Sequence, residues 1–413
     1  MQLTENQKRA VESVDVSTAI IAGAGSGKTE VLTQRLIYIL NSGKINLNQI
    51  LCVTFTEKAA HELKKRVAQY LPEESKKDLP WAAIGTFHSF CLNLLREQAP
   101  LLGFSGAIEV WDEHTARLAI HRHCRKTLLE ALDNKEPEAV LLLDAFEFRE
   151  TLLLLEELMQ FRWHFEGTMD NGPWTMDQKQ KTLHFATTYL YKKILSSYTA
   201  EKKEREVMDF QDLEMEALNL LNTNKEVLKQ YQSRFKHILV DEVQDINDLQ
   251  KNLIEMLFNP KENRLCMVGD PKQSIYRFRG ANVTGLQSLS DKILKAGGHR
   301  IELQENFRSR PAILNWINAL FENIFPANLF IPLIPTREKT TEANIHLLPI
   351  DGNKKLSNEN RRKIEAERIV EYIQHLVHSG KNSYGDITLL FQALSDIRHY
   401  EKALRAAQIP YRL

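Results

Sequence analysis

Residues 22–29 read AGAGSGKT, after an apolar run, TAIIAG, and at the start of a stretch with helical periodicity over residues 28–40. Gly23, Gly25 and Gly27 let a backbone turn tightly and bring its amides close to an anion. A helix start adds positive dipole potential at the same place. Lys28 is then set to reach β- and γ-phosphates, and the Thr29 hydroxyl to bind Mg2+. The whole loop, Ala22, Gly23, Ala24, Gly25, Ser26, Gly27, Lys28 and Thr29, is a candidate nucleotide cradle, with Ala22 where the strict GxxxxGKT spacing has glycine. The plainer alternative is an ordinary glycine-rich strand-to-helix turn.

A second segment, LVDEVQD at 239–245, ends the apolar run HILV with Asp241 and Glu242. An aspartate at the tip of a second parallel strand can hold the Mg2+ that Thr29 also touches. Glu242 beside it can polarise a water for in-line attack on a γ-phosphate. A solvated strand edge would show the same two acids; the upstream loop favours the metal reading. A third segment, GDPKQSIYRFRGA at 269–281, contains Gln273, which is long, neutral and two-sided. Such a residue suits sensing a γ-phosphate or orienting the attacking water. Tyr276, Phe278 and Arg279 mix aromatic and cationic groups as single-strand binders do, where stacking is worth roughly 1–3 kcal/mol per base. The alternative is a glycine-bounded loop whose rings pack inward.

These segments need strands and helices to hold them. Short β-branched runs recur at 18–23, 50–55, 82–87, 237–242, 264–270 and 299–303, each reading as a strand buried on both faces of a parallel sheet. Helical patterns follow most of them. In EKAAHELKKRVAQYL, Ala60, Leu63 and Val67 share one face, and Glu62 stands four before Arg66 on another. The alternation predicts an α/β doubly wound fold. Residues ~100–208 break it: they are rich in leucine and charge, carry Phe146, Phe148, Phe161, Trp163, Phe165 and Trp174, and read as a helical insertion. Within it, EKKERE at 201–206 reads as a solvated helix face. After ~303 a new unit begins, with strands predicted at 343–351 and 386–392 and helices at 361–377 and 395–407; too few strands follow to close a sheet, which suggests that the sequence stops inside a domain.

Composition sets bounds. The chain has 413 residues, enough for roughly three domains. Hydrophobic residues make up 43%, ample for real cores, and 54 basic residues balance 54 acidic ones. A globally basic binder is not indicated, although a local basic groove remains open. No run approaches the ~18 apolar residues that span a bilayer, and MQLTENQKRA lacks the apolar core of a secretory signal. Cys52, Cys91, Cys124 and Cys266 are scattered with no CxxC pair, which points to reduced thiols in a cytoplasmic protein.

With these segments in order, the sequence resembles the UvrD/Rep/PcrA-type superfamily-1 DNA helicases, including the RecB and AddA subunits. The resemblance runs through LTENQKRAV (3–11), AGAGSGKT, TFTEKAAHELKKRV (54–67), GTFHSFC (85–91), LVDEVQD, VGDPKQSIYRFRGA and LQENFRS (303–309). It implies a P-loop NTPase with a RecA-like parallel sheet flanked by helices: an ATP-binding domain 1A at 1–98 and 209–302, a helical insertion 1B at 99–208, and the first part of a second RecA-like domain 2A at 303–413. It implies ATP and Mg2+ as ligands, with Gln7 reading the adenine edge, Phe307 stacking on adenine, Lys28, Glu242 and Gln273 catalytic, Thr29 and Asp241 on the metal, and Arg308 an arginine finger. It implies that Thr54, Phe55, Thr86, Phe87, His88, Tyr276 and Phe278 contact single-stranded DNA. Partners would be single strands and duplex junctions, with a nuclease domain or partner subunit left open, and no membrane. Two departures stand out. Phe278 replaces the tryptophan of UvrD, Rep and PcrA, closer to RecB and AddA, and nothing in the sequence resembles motifs V and VI.

Several residues keep a simpler reading. Thr4 and Gln7 form a capping-box pattern. Phe55 could be strand core and Thr56 a helix cap. His88 could be an ordinary helix-start histidine. Arg308 could pair with Glu305 or Glu302. Three functions follow: an ATP-driven motor on single-stranded DNA with 3′→5′ polarity implied by the resemblance, acting in repair or recombination; a nucleotide- and DNA-binding module that does not turn over; or a P-loop switch that docks a partner.

Overall fold

The computed structural model describes residues 3–103, 108–165, 178–277, 280–326, 330–338, 345–349, 357–380 and 382–412. The chain divides into two compact units, residues 1–338 and 339–413. The strands are β1 (Thr18–Ala22), β2 (Ile50–Thr54), β3 (Ala83–Thr86), β4 (Glu109–Val110), β5 (Val207–Met208), β6 (His237–Val240), β7 (Arg264–Gly269), β8 (His299–Leu303), β9 (Glu305–Asn306) and β10 (Ile334–Pro335). Six of them form one sheet in the order β3-β2-β6-β7-β1-β8. Every pairing in it is parallel. All six predicted strands are therefore present, and the α/β class holds.

Side chains alternate between the two faces, as a strand's period of two requires. Ala19, Ile21, Leu51, Val53 and Met267 join one core with residues of helices Phe87–Glu97, Phe210–Thr223, Asp248–Leu257 and Val283–Lys295. Ile20, Ala22, Ile50, Cys52 and Val268 join the other with helices Glu5–Glu12, Lys28–Asn41 and Glu57–Tyr70. Helix Glu57–Tyr70 buries Ala60, Leu63 and Val67, as its pattern requires, and Arg66 meets Glu62 at 2.5 Å. Central strands β1 and β2 are buried at every position. The expectation of burial on both faces fails for the edge strands: β3 alternates, and β8 exposes His299 and Arg300. An edge strand has a neighbour on one side only, so the flanking helices cover it less. All four cysteines are buried and free.

The insertion is helical. Helices Glu113–Asp133, Pro137–Ala145, Phe148–Gln160 and Gln178–Glu204 surround a core of their own that includes Cys124, Leu128, Leu142, Leu155, Met159, Leu190 and Ile194. At its base β4 and β5 pair in parallel, and Trp111 N donates to Met208 O at 2.8 Å. Trp174 lies outside the described residues. The solvated reading of 201–206 holds for residues 203–206, which are exposed, and is corrected for Glu201 and Lys202. Lys202 is only 4% exposed, and Glu201 binds Arg122 and His123. Helix Gln178–Glu204 reaches the junction with helix Phe210–Thr223, and one side of its last turn, with Glu201 and Lys202, faces protein. There Lys202 and Arg162 meet Asp209 and Asp212: Arg162 Nη2 lies 2.5 Å from Asp209 Oδ1 and 2.9 Å from Asp212 Oδ1, and Lys202 Nζ 3.3 Å from Asp209 Oδ2. The Tyr198 hydroxyl donates to Asp209 Oδ2 at 2.7 Å. Burial alone would raise the Asp209 carboxyl; the two cations overcome it and hold that carboxyl below the usual carboxylate range.

Residues 303–338, with β9 paired to β10 and helix Pro311–Phe321, lie within the first unit. In the second unit helices Asn358–His378 and Ile397–Ala406 pack through Val370, Ile373 and Leu404, matching the two predicted helices. The two predicted strands are not formed there. Residues 345–349 and 387–392 carry no strand, and the rest of the first segment lies outside the described residues. Leu347 and Leu390 are 81% and 92% exposed. A strand exists only where a neighbouring chain takes up its backbone N–H and C=O groups, and no such neighbour stands beside them among the described residues.

Breaking a buried ion pair by removing one partner typically costs about 3–5 kcal/mol. Arg162→Ala strands Asp209 and Asp212 against Lys202 alone. Urea denaturation followed by circular dichroism is expected to show about 3 kcal/mol lower stability; an unchanged midpoint would mean the cluster is not holding the junction.

Candidate functional site

The sheet is parallel, so the loops after β1, β6 and β7 leave its same, carboxyl-terminal side, where ligands of open α/β sheets bind. After β1 the chain turns through left-handed Gly25 (φ 72°) and Gly27 (φ 83°) into helix Lys28–Asn41. A Cβ on Gly25 would lie 2.7 Å from Arg308 Cβ and 2.8 Å from Asn306 Nδ2, so only glycine fits. Four consecutive carbonyls of the loop accept hydrogen bonds from the protein. Gly23 O accepts from Ser26 Oγ at 2.7 Å, Ala24 O from Asn306 Nδ2 at 2.5 Å, Gly25 O from Phe307 N at 3.0 Å, and Ser26 O from Gln7 Nε2 at 2.9 Å. The loop is thus braced on both sides by its carbonyls. The first amides of the following helix have no intrahelical acceptor and are free to serve an anion.

Gln7 is part of a helix cap, its simpler reading, and is buried. Its Oε1 accepts from Thr4 N at 3.0 Å and its own N–H donates to Thr4 Oγ1 at 3.3 Å, a complete capping box, while its Nε2 braces the loop.

Asp241 and Glu242 follow β6 as expected. Lys28 Nζ lies 2.8 Å from Glu242 Oε2. Glu242 itself is left-handed (φ 49°, ψ 47°), a conformation unfavourable for a side chain with a Cβ. Gln244 Nε2 donates to Glu242 Oε2 at 2.8 Å and to Asp245 Oδ2 at 3.1 Å. Burial, and then the charge of Glu242, push the Asp241 carboxyl up to about 6 against the pull of Lys28. The same two causes push Asp245 up to about 6. Three acids thus crowd one ammonium. That excess of negative charge suits a divalent cation. Among the described residues no three His, Cys, Asp or Glu side chains form a metal cage of their own; the Asp241 carboxylate and the Thr29 hydroxyl are by chemistry oxygen donors of the kind Mg2+ takes, an ion that uses few protein ligands and completes its shell with phosphate oxygens and water.

Gln273 joins this network at one remove. Its Nε2 donates to Asp270 Oδ2 at 2.8 Å, and Asp270 N donates to Gln244 Oε1 at 2.9 Å. A Cβ on Gly269 would stand 2.8 Å from that same Gln244 oxygen. No sequence pattern marks Gln244, Asp270 or Asn306 as part of the site. Each is a polar residue at the end of a strand or just beyond it, and that placement was the available signal. Phe307 is half-buried and bonded to the loop through its backbone, with Arg337 Nε donating to its carbonyl at 3.0 Å. Arg308 is exposed beside Gly25. The alternative pairings for it are not seen: Glu302 meets Arg300 at 3.0 Å, and Glu305 Oε2 is buried without a hydrogen-bond partner.

At the ends of β2 and β3 the expected nucleic-acid residues separate into two groups. Thr54 is 1% exposed, with its hydroxyl on Thr56 O at 3.0 Å; Thr86 is 7% exposed and donates to Glu57 Oε1 at 2.7 Å. Phe87, expected at the surface, is a core side chain, because helix Phe87–Glu97 turns its first ring onto the sheet. Phe55 is half-buried rather than strand core, and its ring lies 4.9 Å from that of Tyr276 at 35°. His88 stacks on Phe210 at 4.5 Å and 15°, and its Nε2 lies 3.1 Å from Glu214 Oε1. Phe278 lies outside the described residues. Phe55, Tyr276 and His88 therefore keep accessible surface, whereas Thr54, Thr86 and Phe87 are buried.

Comparisons with known proteins bear on this geometry. The UvrD/REP helicase N-terminal domain matches residues 3–294, and the UvrD-like helicase C-terminal domain matches residues 301–413. Among curated proteins the chain is similar to the ATP-dependent DNA helicase PcrA of Staphylococcus epidermidis, 30% identical over 417 aligned positions, covering 99% of this chain and 50% of that protein. It is similar also to the PcrA of Staphylococcus aureus, 29% identical with the same coverage. The chain spans about half the length of the curated relatives it matches. No helix among the described residues is long and apolar enough to cross a membrane.

The crowded acids predict a pH effect. Asp241 has a folded pKa of about 6 against an ordinary 3.8, so the folded state favours its protonated form. That stability is fully present below about pH 4 and is lost as pH rises through about 6. Without nucleotide and metal, Asp241→Asn is expected to raise stability at pH 8 by about 2 kcal/mol and to leave it unchanged near pH 3.5, as read by urea denaturation. Equal effects at both pH values would remove the electrostatic account.

Proposed function

The chain belongs to the UvrD/REP helicase family, and from that premise we propose that it is the ATP-binding part of a DNA motor that works on single strands. The observation that carries the reading is the convergence of Lys28 from the glycine loop with Glu242 from the tip of β6, at 2.8 Å. We assign residues 1–98 and 209–302 to domain 1A, 99–208 to 1B, and 303–413 to the start of 2A. Translocation runs 3′→5′ by family resemblance, in repair or recombination.

The residues divide the work. Lys28 exchanges its partner: the ammonium leaves Glu242 for the β- and γ-phosphates of ATP, and Glu242 becomes free to accept a proton from the attacking water. Gln244 holds Glu242 in place through that exchange, because its Nε2 already donates to the same carboxylate oxygen. Gln273, tied through Asp270 to Gln244, reports on the γ-phosphate position. The Thr29 hydroxyl and Asp241 would hold Mg2+, which would offset charge on the phosphate oxygens. Gln7 reads the adenine edge with the donor and acceptor capacity left on its amide, and Phe307 stacks on the base. Arg308, exposed beside the loop, is the arginine finger. Phe55, Tyr276 and His88 present faces to unpaired bases; Thr54 and Thr86 shape the strand ends and offer backbone groups to phosphates.

A second reading is binding without turnover. It is favoured by the second unit, which carries no sheet among its described residues to present further catalytic side chains.

Equilibrium titrations of the 413-residue chain test the proposal. A fluorescent N-methylanthraniloyl ATP and a labelled oligo(dT) are both expected to bind. Lys28→Ala is expected to weaken the nucleotide roughly 30-fold, the loss of a charge-assisted contact of about 2 kcal/mol, and to leave oligo(dT) anisotropy within about twofold. Nucleotide binding with no affinity for oligo(dT) would sink the motor reading and leave a P-loop switch. ATP hydrolysis above that of Lys28→Ala separates the motor from the module that does not turn over.

A further inference from the structure

We propose that Glu214 is a positioning residue that couples the single-strand face to the nucleotide site; the proposal rests on the reading given under Proposed function. Glu214 is 2% exposed on helix Phe210–Thr223 and belongs to none of the segments that carry the family resemblance. Its carboxylate is shared by three side chains from two other elements. Oε1 accepts from Gln250 Nε2 at 2.6 Å and lies 3.1 Å from His88 Nε2, and Oε2 accepts from Asn247 Nδ2 at 3.0 Å.

The two ends of this bridge differ in what they can sense. His88 is the exposed end, its side chain 38% accessible, stacked on Phe210 one turn before Glu214. Asn247 and Gln250 are the inner end. Asn247 caps helix Asp248–Leu257 and stands two residues after Asp245, in the segment that begins with Asp241 and Glu242. That segment is short and tightly bonded: Asp245 N donates to Glu242 O at 2.9 Å, and Asn282 N, just past the aromatic loop, donates to Ile246 O at 3.1 Å. A base or phosphate that engages His88 draws it away from Oε1. The buried carboxylate must then rebalance its charge on Gln250 and Asn247, and so shift the chain that holds Glu242.

The helix beneath does not simply follow. Asp209 and Asp212, at its first turn, are pinned by Arg162 and Lys202 from the insertion. The Glu214 backbone is therefore fixed, and the adjustment falls on its carboxylate and the three groups around it.

A buried acid that merely ties three elements together would affect stability alone. A coupling residue changes the factor by which one ligand alters the affinity of the other, a factor typically 5- to 150-fold and equal in both directions. Glu214→Gln keeps the size but leaves one acceptor oxygen where the bridge needs two. The measurement is the dissociation constant of N-methylanthraniloyl ATP on the 413-residue chain, with and without saturating oligo(dT). The wild type is expected to show a ratio of about fivefold or more, and Glu214→Gln a ratio below about twofold, with each ligand alone binding within about threefold of the wild type. If Glu214→Gln does not give a folded chain by circular dichroism, Gln250→Leu takes its place with the same expected loss of coupling. A variant that keeps the wild-type ratio overturns the role of Glu214 and leaves the motor reading standing. A wild type that binds both ligands with no coupling, or fails to bind oligo(dT), overturns both.

Discussion

The ammonium of Lys28 faces a carboxylate group larger than it can neutralise. Asp241, Glu242 and Asp245 gather at the end of β6 and just beyond, and only Glu242 is in direct contact with it. The other two answer by holding their protons more tightly than free aspartates do. The left-handed backbone of Glu242, the two-way grip of Gln244 and the paired carbonyls of the glycine loop all keep this imbalance from relaxing. A site of that kind holds more negative charge than its own cation offsets.

Parallel strands make the crowding possible. They bring the ends of β1, β6 and β7 to one side, so that loops more than 200 residues apart in sequence share a few ångströms. The two-faced core then fixes the strands against sliding: a slip of one residue would carry Ile20 and Ala22 into the core of Ala19 and Ile21 and reverse every loop that follows.

Much of this was legible in the sequence, for reasons that differ by element. The six sheet strands are β-branched and bounded by turn residues, and the pattern of Ala60, Leu63 and Val67 names a helix face without help from tertiary structure. Lys28 and Glu242 were legible because their chemistry depends on a local turn and a local strand end. Gln244, Asp270 and Asn306 were not, because each matters through a bond to a distant partner that no spacing rule records. Lys202 and Glu201 misled in the opposite direction: charge in a run reads as solvent, whereas a buried pair of aspartates was waiting across the junction. Phe87 misled because a ring at a helix start can face either way, and this one turns inward. The two unformed strands beyond 338 show the limit of local pattern, since a strand is a property of two segments and only one of each pair can be read from its own residues.

The clasp at the foot of the insertion isolates the helical bundle from the sheet. β4 and β5 lie side by side, so about a hundred residues leave the sheet domain and return to it through a doorway two residues wide. To the fold beneath, that excursion is a closed loop whose length hardly matters, because closure entropy grows only logarithmically. The helical bundle is tied to the sheet domain at that doorway and by the two cations set over Asp209 and Asp212, so the strain of a change in its length falls on the bundle and not on the sheet.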